Sequence, residues 1–154
     1  MARDRRQYTP VEGSVVWKPK EFKDAFDGWT YAEGTKPVEA VAYLLLQSGI
    51  IDAWPDFQFS VDRSIYRDPE DPQPTPYPVA RVLDWARLAN DIPFELVGKR
   101  AFSLFVFARM LKDRNFPWCL NDVVEGMDPD TQRIALHAFA LFTGNRNYEP
   151  WSKK

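Results

Sequence analysis

From Ala101 to Ala108 the chain reads Ala101-Phe102-Ser103-Leu104-Phe105-Val106-Phe107-Ala108, with Ser103 as its only polar residue. Side chains on a helix follow one another at about 100° per residue, so this run covers nearly the whole circumference. A helix of that composition has to be surrounded by protein. The pattern extends it from Ile92 to Arg114, with Gly98 dividing a short lead-in from the main body. Lys99, Arg100 and Arg109 bound the apolar part, well short of the roughly 20 residues that a membrane-spanning helix needs. The expectation is a buried central helix, with the remaining segments as its cover.

Several of those segments have a helical period. Phe22 and Phe26 stand at i, i+4 in a short helix from Pro19 that Gly28 would close. Val38, Val41, Ala42, Leu45 and Leu46 recur at three- and four-residue spacing after Pro37, with Gly49 as the stop. Val79, Val82, Leu83, Trp85, Ala86 and Ala89 share one face of a helix from Pro78 to Ala89. A short helix from Pro117 to Gly126 follows the central one. The last begins at Asp128-Pro129, points Ile134, Ala135, Ala138, Leu141 and Phe142 inward, and ends at Gly144. Only Phe57, Phe59 and Val61 alternate with polar residues, which predicts a short strand that pairs with Val15-Val16. The fold class is therefore mainly α: a single-domain helical bundle of five or six helices around the buried central helix, with a minor two-stranded β element.

Three stretches lie outside this pattern. Residues 1–18 form an extended N-terminal arm, and residues 145–154 a C-terminal tail. Residues 68–78 hold five prolines in eleven positions, which neither a helix nor a central strand can accommodate. A proline-rich acidic loop results. At 154 residues, one domain with a core that needs no disulfide or metal is expected.

The chemistry is defined mostly by exclusion. His137 is the only histidine and Cys119 the only cysteine, so the common zinc-binding spacings cannot occur and no internal disulfide can form. Phosphate-cradling glycine loops and the Gly-x-Ser-x-Gly elbow are absent from the seven scattered glycines. Cys119 at a helix start with His137 as its base is a conceivable nucleophile pair, but a buried inert cysteine and a structural histidine account for both. Asp122, Glu125, Asp128 and Asp130 crowd nine positions without the spacing of an EF-hand, and helix capping explains Asp128 and Asp130 without a cation. No metal or cofactor is expected, and no catalytic residue is assigned. The charged N-terminus leads into Gln7, Tyr8, Thr9 and Pro10 rather than an apolar segment, so with a lone cysteine the expected setting is cytoplasmic.

Charge is unevenly spread over a chain whose net charge is -2. Residues 37–95 carry ten acidic and four basic side chains, and their non-helical parts interleave carboxylates with aromatics. Aromatic anchors with a charged rim are how protein interfaces are commonly built, and loops on a rigid scaffold are where such residues concentrate. Trp54, Asp56, Tyr66, Asp68, Glu70, Asp71 and Tyr77 are the expected partner-binding residues. The reading is a non-enzymatic adaptor, inhibitor or assembly subunit that docks onto a larger protein or complex, a description that suits a phage or mobile-element accessory protein that binds host machinery. A homo-oligomer would bury the same surface. The alternative is a nucleic-acid-associated protein that uses Arg3, Arg5, Arg6 and the arginines of the central and last helices.

Overall fold

The structure, a computed structural model, describes residues 7–70, 72, 75–113 and 119–144. Its architecture is mainly α with a small three-stranded antiparallel sheet. Helix α1 (Pro19–Glu33) starts with proline in its first turn, and the Glu21 carboxylate accepts from the Lys18 backbone N–H at 3.0 Å. It does not stop at Gly28. The helix continues to Gly34, whose left-handed backbone (φ 64) provides the actual terminus. Gly28 has a different purpose: a Cβ at that position would overlap the Pro78 carbonyl oxygen, so the missing side chain lets a strand lie directly on the helix.

Helix α2 (Lys36–Gln47) follows the expected pattern and buries Val38, Val41, Leu44 and Leu45 completely or nearly so. After the single turn of α3 (Ile50–Ala53), Pro55–Ser60 forms a 3₁₀ helix rather than the expected strand. Pro55 fixes φ at its start, the Phe57 N–H bonds back to the Trp54 carbonyl, and the tighter winding turns Gln58 inward while Phe59 stays exposed. Val15 and Val16 are exposed and, among the described residues, pair with no strand. The sheet is instead β1 (Tyr8–Pro10), β2 (Asp62–Tyr66) and β3 (Tyr77–Arg81), in that spatial order. Both proline-containing strands are edges, where a missing N–H costs no ladder bond.

The stretch read as a helix from Pro78 to Ala89 is thus half strand. Its helical half is α4 (Trp85–Asp91), which Asp84 caps by accepting from the Arg87 N–H at 3.0 Å. Val79 and Val82 are compatible with either period, and pairing with β2 decides for the strand, leaving the supposedly inward Leu83 exposed. The proline-rich stretch joins β2 to β3, as far as it is described.

Helix α5 (Phe94–Lys112) is the buried central helix, interrupted at Gly98, whose φ of 86 and ψ of 169 separate the lead-in from the body. Ala101, Leu104, Phe105, Val106, Phe107 and Ala108 are buried, whereas Phe102 and Ser103 are partly exposed. Helix α6 (Leu120–Val124) and helix α7 (Pro129–Thr143) close the fold. Asp128 caps α7 by accepting from the Thr131 N–H at 2.7 Å, and Gly144 ends it. The expected helix start at Pro117 and the tail at 145–154 lie outside the described residues.

The buried apolar residues form one cluster that runs from α1 through α7. Phe57 stands at its aromatic centre: it stacks on Trp54 at 5.4 Å and meets Phe22 edge-on at 5.3 Å. Burying each such side chain stabilises the fold by about 1.5–3 kcal/mol. The arm before α1 is tied to this centre. Trp17 exchanges two backbone hydrogen bonds with the Gln58 amide, at 2.8 and 2.9 Å. Arg63, also buried, donates to the Val15 carbonyl at 2.5 Å and lies over the Trp17 and Phe59 rings. Carbonyls and ring faces replace the water that a buried guanidinium loses.

Candidate functional site

The antiparallel register sets three tyrosines in one row. Tyr8 of β1 stands opposite Tyr66 of β2, and Tyr66 opposite Tyr77 of β3. Their ring centroids are 4.9 and 5.3 Å apart. Tyr31 of α1 extends the row by meeting Tyr77 edge-on at 5.6 Å, a contact made possible by the close approach of helix and strand at Gly28. Asp68 and Glu70 follow β2 directly, and a turn in which the Glu70 N–H donates to Asp68 Oδ1 at 2.9 Å holds them together. Gln7, just before β1, is fixed by its carbonyl, which accepts from the Arg67 N–H at 3.0 Å.

These pieces surround an open pocket of about 300 Å³, lined among the described residues by Gln7, Tyr31, Ala32, Tyr66, Asp68, Glu70 and Tyr77. Its wall is made chiefly of oxygen-bearing groups, and no basic side chain contributes to the described lining. The Tyr77 hydroxyl and the Gln7 Oε1 are buried without a hydrogen-bond partner. A buried polar atom left in that state costs about 1–3 kcal/mol. Burial, then the neighbouring phenols of Tyr66, Tyr31 and Tyr8 and the Asp68 carboxylate, push the Tyr77 phenol well above the usual tyrosine range. It remains a neutral hydroxyl at any ordinary pH.

Four of the expected partner-binding residues, Tyr66, Asp68, Glu70 and Tyr77, therefore meet at one place. Trp54 does not line this pocket and stacks on Phe57, while Tyr66, like Trp54, is part of the buried core cluster. Asp56 is exposed on the 3₁₀ helix and does not line the pocket. Asp71, like Arg3, Arg5 and Arg6, lies outside the described residues. Gln7, Tyr8 and Tyr31 are additions that no local pattern marks, since each enters only through strand register or through the full length of α1.

A second cavity, of about 380 Å³, is apolar. It is lined by Phe107 of α5, Leu120 and Val124 of α6, and Ala135, Leu136 and Phe139 of α7, with Gln132 as the one polar residue of its described lining. Leu120, Leu136 and Phe139 are each between 43% and 49% exposed, which makes this an open groove rather than part of the core.

The other candidate residues are separated. Asp122 accepts from both the backbone N–H and the thiol of exposed Cys119, at 3.3 and 3.0 Å, while His137 packs on Tyr43 with ring centroids 4.8 Å apart. Neither residue bonds the other. With Asp122 and Asp128 holding helix starts, no group of three ligands for a metal ion converges among the described residues. Arg109 pairs with Asp113 at 3.3 Å and Arg133 with Asp130 at 3.6 Å, so these two arginines of the central and last helices face carboxylates. Among the described residues no helix is long and apolar enough to cross a membrane. No protein-family model, curated protein or solved structure matches this chain.

Proposed function

We propose that this protein is a non-enzymatic docking protein, an adaptor, inhibitor or assembly subunit, that engages a larger protein through the tyrosine pocket and its acidic rim. The observation that supports it is the meeting of Tyr66, Asp68, Glu70 and Tyr77 with Tyr31 around one open cavity. Aromatic rings held rigid by neighbours lose little entropy when a partner covers them, and a charged rim selects the partner and speeds its approach. A cytoplasmic setting suits a chain whose single cysteine is exposed and unpaired.

The test is affinity capture from a lysate of the source cell, with and without nuclease, using the native chain and D68K/E70K. A near-stoichiometric protein that survives nuclease and is lost from the charge-reversed chain is the expected result. Loss of every partner on nuclease treatment would replace docking by the nucleic-acid reading.

A further inference from the structure

Among the described residues the charged groups of the pocket are both carboxylates, and its two buried unpartnered atoms are both oxygens that can accept. Asp68 and Glu70 bring two carboxylates, Gln7 an unpartnered amide oxygen, and Tyr77 an unpartnered hydroxyl that also accepts. An anionic ligand would meet uncompensated negative charge there, and an apolar side chain would leave the Gln7 and Tyr77 oxygens as unsatisfied as before. A cation rich in N–H donors answers both. The acceptors come from three chain segments: before β1, after β2 and at the start of β3. A compact ammonium, a point charge with three donors, reaches fewer of them than a planar fork with five. The same sheet already holds such an arrangement internally, where the Arg81 guanidinium lies 3.8 Å from the centroid of the Tyr8 ring and bonds Asp62 at 2.9 Å.

We propose that the pocket receives the guanidinium of an arginine side chain presented by the protein partner, with Asp68 and Glu70 as counter-charges and the Gln7 and Tyr77 oxygens among its acceptors. The inference rests on the docking reading above and names the chemistry of that contact. Tyr31, 78% exposed, supplies the ring against which the planar cation stacks. Carboxylates flanking a stacked guanidinium give it two-point geometry as well as charge.

The full chain is titrated with N-acetyl-arginine amide, with the lysine derivative and with the citrulline derivative, a neutral molecule of the same shape, while backbone amide shifts are followed by NMR. Saturable shifts at Gln7, Tyr66, Asp68 and Tyr77 are expected, with arginine binding at least about tenfold more tightly than citrulline, as suits a charge-assisted contact. D68N/E70Q, whose spectrum reports directly on its folding, should reduce arginine to the citrulline level. Equal binding of arginine and citrulline, or an arginine response that D68N/E70Q leaves intact, would overturn the proposal, and a lysine derivative as tight as arginine would overturn the guanidinium. The two readings fail separately. A partner lost from D68K/E70K together with no arginine preference removes the guanidinium and keeps docking. An arginine response in a chain that captures no partner removes docking, and with it the claim that the arginine belongs to a partner.

Discussion

The tyrosine pocket and the apolar groove are of similar size, about 300 and 380 Å³, and opposite in construction. The groove is a product of helix faces. Residues on α7 such as Ala135, Leu136 and Phe139 come from a single period, and facing helices complete it. The pocket is a product of long-range register, assembled from the residue before β1, the segment after β2, the first residue of β3 and the last turns of α1. A helix face tolerates change one residue at a time. A site built on register depends on a few contacts that align every contributor, and those contacts are where the two regions can be told apart.

The largest effect is expected at Gly28. A methyl group there would collide with the Pro78 carbonyl oxygen, which belongs to backbone and cannot rotate away. Gly28→Ala gains helix propensity, yet overpacking of this kind typically costs about 1–3 kcal/mol, more than the roughly 1 kcal/mol recovered from propensity. Urea unfolding should show the loss in stability. In the folded fraction, amide shift changes should concentrate on Tyr31, Tyr66 and Tyr77 and spare Leu136 and Phe139. Equal disturbance of both regions would show that the pocket is no more register-dependent than the groove.

A smaller effect of opposite sign is expected from Tyr77→Phe. The hydroxyl it deletes is buried and unpartnered, so its removal relieves an unmet hydrogen bond while the ring keeps its contacts with Tyr66 and Tyr31. Stability should be unchanged or rise by up to about 1 kcal/mol, measured by denaturant midpoint. A loss of more than about 1 kcal/mol would mean that the hydroxyl is already satisfied.

How much of this was legible beforehand follows from the same distinction. Segments whose information is local read correctly: α2, the capped start of α7 and the break at Gly98 each have their signals within a few residues. The buried central helix could be read from eight consecutive residues. Misreadings arose where a distant segment settles an ambiguous pattern. Gly28 looks like a helix stop until Pro78 lies against it, and Val79 to Leu83 looks helical until β2 pairs with it. The alternation of Phe57 and Phe59 lost to Gln58, whose amide is needed inside to bond the Trp17 backbone. For the site, the carboxylates and aromatics of one stretch were visible as a cluster, but Tyr8 and Tyr31 share no periodicity with them. Only the register of three strands and the length of α1 bring the row together.

The two regions should also differ in the direction of their pH sensitivity, the smallest effect of the three. Beside the groove, the Cys119 thiol and N–H bonds to Asp122, and the Thr131 backbone bond to Asp128, hold both carboxyls below the usual aspartate range. A carboxyl depressed in the folded state contributes stability in full above its unfolded value of about 3.9 and loses it as pH falls through the folded value. At the pocket the sign reverses. The Tyr77 phenol is raised by burial, so its contribution is complete below the unfolded tyrosine value of about 10 and is lost as pH climbs beyond it. Amide exchange should accordingly show the first turns of α6 and α7 opening on the acid side, and the Tyr66–Tyr77 strand pair opening on the alkaline side. Asp128→Asn separates charge from capping, because asparagine caps nearly as well but does not titrate. It should leave the α7 start protected at neutral pH and remove its share of the acid response. If the acid limb at α7 persists in that variant, the carboxylate of Asp128 is not what holds the helix start, and the groove owes its acid sensitivity to another group.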